Sequence, residues 1–293
     1  MKKLLFIINP MAGRQQAQTD LYKMVKIFAD HDYEVTVYPT RARLDCTQKV
    51  LKDAGRFDLV VCCGGDGTLN EMVSGMMQRQ DRRPMGYIPL GSTNDLAVSL
   101  RLPTRVEEAA LRAVTGNEFH MDVGTLNDRY FNYIAAFGAF TETSYATPQE
   151  IKNALGHLAY ILEGVKSLGK ILPIHVKITA DDEQFEEDYL FGAVTNTISL
   201  GGVLKLDPEK VLLDDGMYEL LLVKNPTNAL EAQAMLTAIM TQNFDGPLVK
   251  MFHASDITFE SSHEISWTID GEYGGTFSHT HILNNKNAVT LIV

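Results

Sequence analysis

The run Asp58–Cys63 (DLVVCC) is largely apolar, ends on Gly64-Gly65 and passes directly into a helical pattern over Thr68–Met77. No other stretch constrains the fold as much. A strand buried on both faces and followed at once by a helix is a unit of a parallel sheet covered by helices. Glycines let the backbone approach a ligand closely and free N–H groups to form an anion-binding nest. The N-terminus of the following helix favours phosphate through its orphan donors and its dipole. Asp66, set between glycines, places a carboxylate beside such phosphates, where it could hold Mg²⁺ directly or through water. Part of the stretch has a plainer reading: Thr68 and Glu71 fit a capping box, in which Glu71 serves only to start the helix.

The same architecture recurs. The strand Met85–Pro89 leads into Gly91-Ser92-Thr93-Asn94-Asp95 and a helix over Asn94–Leu100, and the strand Leu4–Ile8 leads into Asn9-Pro10-Met11-Ala12-Gly13. Ser, Thr, Asn and Asp are also ordinary N-cap residues, so either turn alone has a purely structural explanation. Three such turns together point further. In a parallel sheet they lie along one edge, and open α/β sheets bind ligands there. Helices over Thr19–His31, Cys46–Ala54 and Glu107–Thr115 and a strand over Tyr33–Tyr38 complete an alternating pattern.

After about residue 120 helical runs become rare. Short strands separated by turns are expected at Met121–Leu126, Tyr130–Phe137, His175–Ala180, Leu190–Thr197, Met217–Val223, Asp256–Glu260, Ile265–Ile269, His281–Leu283 and Ala288–Val293, with helical segments at 148–170 and 227–242. This predicts an α/β protein with an added β domain. Residues 1–122 form a parallel α/β nucleotide-binding domain and residues 123–293 an antiparallel β-sandwich, whose last strand is free to pack back on the first domain. Charge divides in the same place. The net charge is −11, yet residues 1–125 carry 16 Lys/Arg against 15 Asp/Glu, so the excess acid lies almost wholly in the second part. An acidic second half argues against a nucleic-acid partner. The cysteines, Cys46, Cys62 and Cys63, have neither disulfide nor metal spacing and read as buried thiols in a reducing cytoplasm. No stretch reaches the roughly 20 apolar residues that span a bilayer.

The segments NPMAG, GGDGTLNE and PLGSTNDLA, in this order, resemble the diacylglycerol kinase catalytic family, which includes sphingosine and ceramide kinases and soluble bacterial lipid kinases. Asn196–Gly202 (NTISLGG), Leu212–Met217 (LLDDGM) and Asp270-Gly271-Glu272 resemble the family's later segments. The resemblance implies an ATP- and Mg²⁺-dependent lipid kinase that phosphorylates diacylglycerol or a similar lipid alcohol to a phosphatidic-acid-type product. By position, Asn9, Thr40, Gly64, Gly65, Asp66, Gly67, Thr68, Leu69, Asn70 and Thr93 would line the ATP site. Glu272 would be the general base and Asp66 a second catalytic group. Asp66, Asp95 and Asp122 would surround the catalytic Mg²⁺. The backbone oxygens of Leu212 and Met217, with the Asp215 carboxylate, would hold a structural Mg²⁺. Without the resemblance, the Asp214-Asp215-Gly216 and Asp270-Gly271 segments read as turns between strands. Asp122, flanked by Met121 and Val123, asks for a paired or functional role on its own account.

The implied partner is a lipid met at the membrane surface, by peripheral contact on the inner face, and a homodimer is left open. Two other functions stand beside this one. A soluble-substrate kinase of the NAD kinase type is opposed by NPMAG, PLGSTNDLA and the late acidic triplet. A catalytically inactive nucleotide or lipid sensor is opposed by the presence of Asp66, Asp95, Asp122, Asp215 and Glu272. Glu150–Ile171 has amphipathic character, Arg14, Arg41, Arg43, Arg82, Arg83 and Arg101 are candidates for anionic groups, and the run Asp181–Asp188 reads as a solvated hairpin tip.

Overall fold

A computed structural model describes residues 1–138, 172–200, 204–206 and 211–293. The segments expected to be helical over 148–170 and amphipathic over 150–171 lie outside the described residues. The chain divides into two compact units, Met1–Val123 with Asn285–Val293, and Gly124–Asn284.

In the first unit, β1 (Lys2–Ile8), β2 (Tyr33–Pro39), β3 (Leu59–Gly64) and β4 (Met85–Pro89) form a parallel sheet in the order β2-β1-β3-β4, and Leu291 near the chain's end pairs with Met85 of β4. Leu4, Phe6, Leu59 and Val61 sit on one sheet face, and Leu5, Ile7, Val60 and Cys62 on the other; all are essentially inaccessible. That two-sided burial is why β1 and β3 read as unbroken apolar runs. The helices are α1 (Gln16–Thr19), α2 (Leu21–Asp30), α3 (Asp45–Asp53), α4 (Asp66–Met77), α5 (Asp95–Ser99) and α6 (Val106–Thr115). On one face α2 and α6 bury Met24, Phe28, Val106, Ala109 and Ala113 against β1 and β3. Phe28 meets Phe6 edge to face at 5.2 Å. Elsewhere α3 and α4 pack so closely that a Cβ on Gly75 would lie 2.8 Å from Val50 Cβ. The three cysteines are buried and unbridged, and burial pushes the Cys63 thiol up to about 12.

β5 (Glu118–Leu126) leads into the second unit, where the strands are β6 (Arg129–Phe131), β7 (Ile134–Gly138), β8 (Ile174–Ala180), β9 (Glu183–Thr195), the short pair β10 (Ser199–Leu200) and β11 (Leu204–Lys205), β12 (Tyr218–Lys224), β13 (Val249–Ala254), β14 (Asp256–Ile269) and β15 (Glu272–Ile292). The main sheet is antiparallel here, in the order β13-β12-β9-β7-β14-β15. β8 pairs with one end of β9 and β14 while β7 pairs with the other, so two short strands share one place in the sheet. One face carries an aromatic core in which Trp267 packs edge to face on Phe137 and Phe259. The other, with Leu221, Val223 and Val249, lies against Met235 and Leu236 of α7 (Ala229–Thr241).

The element bounds differ from the sequence pattern in instructive places. The strand expected at Tyr130–Phe137 is broken at Asn132 and Tyr133, because their N–H groups donate to the Asp270 carboxylate instead of to a neighbouring strand. The strands expected at Asp256–Glu260 and Ile265–Ile269 are one strand with a register shift between Glu260 and Ile265. Those at His281–Leu283 and Ala288–Val293 are parts of β15. β13 was not anticipated. The acidic run is not all tip: only Asp181 and Asp182 turn, and the rest is β9. The Asp181 carboxylate accepts from the N–H groups of Ser255 and Asp256.

Candidate active site

The parallel register sets the ends of β1, β3 and β4 side by side, with Ile8 beside Cys63 and Gly64 beside Pro89. The turns that follow are stitched to the sheet edge. Asn9 N–H donates to Cys63 O at 2.9 Å, Leu90 N–H to Gly64 O at 2.7 Å, and Thr40 N–H to Ile8 O at 2.9 Å. Asn9 Oδ1 accepts from Met11 N–H at 3.0 Å, which folds NPMAG into an Asx turn. Between the turns lies an open groove of about 550 Å³ lined by Asn9, Met11, Ala12, Gly13, Gly65, Leu90, Gly91 and Ser92.

Glycine is required at two points of this groove. A Cβ on Gly91 would lie 2.7 Å from Gly65 Cα, and one on Gly65 would lie 3.1 Å from Gly91 Cα. The two turns therefore touch backbone to backbone, and main chain cannot yield as a side chain can. Gly91 is held by Asn94, which has a left-handed φ of 54°. Its carboxamide accepts from Gly91 N–H at 2.8 Å and donates to Gly91 O at 3.0 Å. Sequence reasoning took this Asn only as an ordinary cap residue and not as a part of the site. Its signal was an Asn immediately before a helix, where the side chain closes the loop and the residue tolerates positive φ.

Asp66 opens α4 directly after the Gly65 N-cap. One carboxylate oxygen accepts from Asn94 N–H at 2.9 Å, while the other, Oδ1, is buried with no hydrogen-bond partner. Burial pushes this carboxyl up, against the opposing pull of the Asn94 and Asp95 N–H groups. An oxygen acceptor left open beside a helix N-terminus suits a hydrated, hard cation held with phosphates. Asp95 is buried in the first turn of α5, and Asp122 is buried on β5 with Oδ1 accepting from Asn287 N–H at 2.7 Å. Among the described residues, no group of three or more His, Cys, Asp and Glu side chains converges on a metal position.

The other sequence candidates lie at separate places around the turns. Thr93 is exposed on the 91–95 turn. Thr68 and Leu69 are buried, and both donate their N–H to Gly65 O, so they build the helix start rather than present side chains to the groove. Asn70 Oδ1 accepts from Ser74 Oγ at 3.4 Å. Among the arginines, Arg41 donates to Tyr38, Arg82 to Ala288 O, and Arg83 to Gly55 O, so these three hold the fold.

The capping box does not form. Glu71 instead accepts from Leu44 N–H at 2.8 Å and Cys46 N–H at 3.1 Å, and its carbonyl accepts from Thr47 Oγ1 at 2.8 Å. It caps α3, not its own helix, and fastens the loop after Thr40 to α4. Glu71→Ala is expected to lower stability by about 1–2 kcal/mol, in the range of a lost N-cap. Thermal unfolding checks this, with Glu71→Gln, which keeps an acceptor, expected to lose less.

In the second unit, Leu212 is half-exposed, Asp215 Oδ1 accepts from Met217 N–H at 2.8 Å, and Met217 O accepts from Asn284 Nδ2 at 3.2 Å. Nearby, Glu219 is buried, with Oε2 unpartnered and Oε1 3.8 Å from His253 Nε2. Burial first, and then the Asp215 charge, push its carboxyl up to about 8. An orphaned carboxylate oxygen near a second carboxylate fits a bound cation. The unfolded chain releases this proton near 4.5 and the folded protein near 8, so in between the folded state holds more protons. Stability is therefore expected to fall as pH rises through that window, with a slope of at most about 1.4 kcal/mol per pH unit from this group. Denaturant titrations in EDTA should show the slope flattened in Glu219→Gln.

Glu272 begins β15 and is exposed. It follows a two-residue turn whose first residue, Asp270, is buried. Among the described residues, no helix is long and apolar enough to cross a membrane.

Comparison with known proteins places the fold in a family. Residues 3–126 match the diacylglycerol kinase catalytic domain, and residues 140–292 match the YegS C-terminal NAD kinase beta sandwich-like domain. A Bacillus subtilis (strain 168) protein named diacylglycerol kinase is 32% identical over 296 residues, covering 98% of this chain and 97% of the relative. A Staphylococcus saprophyticus protein of the same name is 31% identical over 275 residues, covering 94% of this chain and 90% of the relative. A crystal structure from Bacillus anthracis str. Sterne superposes with a TM-score of 0.85 at 28% identity, covering 99% of this chain and 95% of the other.

Proposed function

The chain belongs to the diacylglycerol kinase family, and from that premise we propose that it transfers the γ-phosphoryl group of ATP to the free hydroxyl of diacylglycerol or a closely similar lipid alcohol, with Mg²⁺ as cofactor. The observation that carries this reading is the groove in the first unit. Three turns line one sheet edge, two glycines meet backbone to backbone, and next to Gly65 a buried carboxylate oxygen of Asp66 has no hydrogen-bond partner at the start of α4.

Phosphoryl transfer asks a protein mainly for positioning and for neutralising charge on the γ-phosphate. The glycine turns and the start of α4 supply N–H donors to phosphate oxygens. Asp66 would hold Mg²⁺, with Asp95 and Asp122 as the further carboxylates of its network, and the ion would supply charge neutralisation on the phosphates. Asn9, Thr40 and Thr93 would orient the nucleotide. Leu212, Asp215 and Met217 would hold a second, structural Mg²⁺. Glu272 takes the proton of the lipid hydroxyl as that oxygen bonds to phosphorus and the bond from phosphorus to ADP breaks. The product is a lipid phosphate, and the lipid is met by peripheral contact with the membrane surface.

The test is radiolabelled transfer from ATP with Mg²⁺ in mixed micelles, with diacylglycerol, ceramide, sphingosine and soluble NAD as separate acceptors. Transfer to diacylglycerol well above the others is the expected result. Transfer to NAD alone would replace the lipid assignment, and ATP binding without transfer to any acceptor would leave a sensor.

A further inference from the structure

β14 ends at Ile269 and β15 begins at Glu272, and these two residues pair, so Asp270 and Gly271 are the entire loop. Both have positive φ, 47° and 79°, as in a type I′ hairpin turn. For such a turn Asn-Gly serves as well as Asp-Gly and buries no charge. Here the carboxylate is buried, with Asp270 only 6% exposed.

The buried carboxylate is fully engaged. It accepts from the N–H groups of Asn132 at 2.7 Å, Tyr133 at 3.0 Å and Ile134 at 3.2 Å. Asp270 N–H donates to Ile134 O at 2.9 Å, which continues the β7–β14 pairing by one residue. The clamped segment is itself fixed to β9, since Tyr133 O accepts from Asn196 N–H and from Thr195 Oγ1, both at 2.9 Å. On the other side of Glu272, Arg129 donates to Tyr273 O at 2.7 Å. A hairpin tip is ordinarily among the first parts of a sheet to fray. This one is tied on both sides, and the residue it presents is Glu272.

We propose that Asp270 is a positioning residue: by clamping the N–H groups of residues 132–134 it fixes the turn and thereby the place of the Glu272 carboxylate. This rests on the reading of Glu272 as the base. A base works only within a narrow range of distance and angle to the proton it takes, and a displacement near 1 Å costs about 10²-fold in rate. Asp270 acts through this geometry, with no contact to the lipid required of it.

The experiment is a double-mutant cycle on the full chain, with Asp270→Asn and Glu272→Ala singly and together, using ATP and diacylglycerol in mixed micelles. Asp270→Asn keeps the turn propensity and the side-chain volume, but sets an NH₂ group against N–H donors. Its kcat is expected to fall about 10- to 100-fold, with KM for ATP within about twofold of wild type and cooperative thermal unfolding retained. In the Glu272→Ala background the same substitution is expected to change the residual rate by less than about twofold, because effects that act through one group do not add. A kcat near wild type in Asp270→Asn, or losses that multiply in the double variant, would overturn the inference. Glu272→Ala with full activity would remove the base assignment itself, a different result from an inactive Glu272→Ala beside an active Asp270→Asn.

Should Asp270→Asn not fold, Gly271→Ala perturbs the same turn. A Cβ there meets nothing within 4 Å, and only the φ of 79° opposes it. A several-fold fall in kcat that vanishes in the Glu272→Ala background supports the inference, and a fall that multiplies with Glu272→Ala overturns it.

Discussion

Asp66→Ala is expected to lower phosphoryl transfer from ATP by about 10³-fold or more, the scale on which charge stabilisation at a transferring phosphoryl group operates. The argument rests on what each carboxylate oxygen does. Oδ2 ties the Gly91–Asp95 turn to the start of α4 through Asn94 N–H at 2.9 Å. Oδ1 is buried and without a partner, at a cost the fold would avoid if the residue were only a link between turns. Asp66→Asn separates the two roles. Its carboxamide oxygen can still accept from Asn94, so the turn should stand, while the negative charge is gone. Radiolabel transfer measured beside a thermal melt decides the matter: Asp66→Asn should melt near wild type and still be close to inactive. Substantial activity in Asp66→Asn would reduce the residue to a link.

Glu272→Ala is expected to lower kcat by about 10²–10⁴-fold, the usual contribution of a positioned base. Binding of ATP to the groove of the first unit should be unchanged, because Glu272 belongs to the second unit. Glu272→Gln should be as slow as Glu272→Ala, since a carboxamide fills the space but takes no proton. Single-turnover transfer to diacylglycerol, with ATP binding followed by equilibrium titration, measures both quantities. A Gln variant with activity near wild type would mean that the hydroxyl proton leaves by another route.

The groove was legible in the sequence because each wall is local. An apolar run, a glycine or Asx turn and a helix start are written within about ten residues, three times over, and parallel pairing aligns them without further information. The strand Ile265–Ile269 was legible for the same reason, whereas the aromatic core that Trp267 forms with Phe137 and Phe259 was not read, because its members come from strands far apart in the chain. What escaped depends on partners far away in the chain. Glu71 looked like a cap for its own helix, and its acceptor oxygens serve Leu44 and Cys46 instead. Asp270-Gly271 looked like any hairpin doublet, and nothing near it in sequence announces the three N–H groups it collects from residues 132–134. The same clamp broke a strand that alternation predicted to be continuous. β13 (VKMFHA) was missed because Lys250 and His253 blur its alternation, while β15 was seen only in parts because Asn284-Asn285-Lys286-Asn287 reads as a turn yet runs on as strand.

The first unit is written in two pieces: it opens with Met1–Val123 and closes with Asn285–Val293. Asp122 joins the pieces, its buried carboxylate receiving the Asn287 N–H, and Leu291 completes the neighbourhood of β4. On the ribosome the first piece emerges long before the second. Until the whole of 124–284 has been translated, the Asp122 carboxylate and the flank of β4 lack their native partners. Closing so long a loop delays the final pairing, and an unpaired strand flank exposed meanwhile is a site for association with other nascent chains. The order of synthesis thus leaves the first unit, although most of it emerges first, to be completed only with the last residues of the chain.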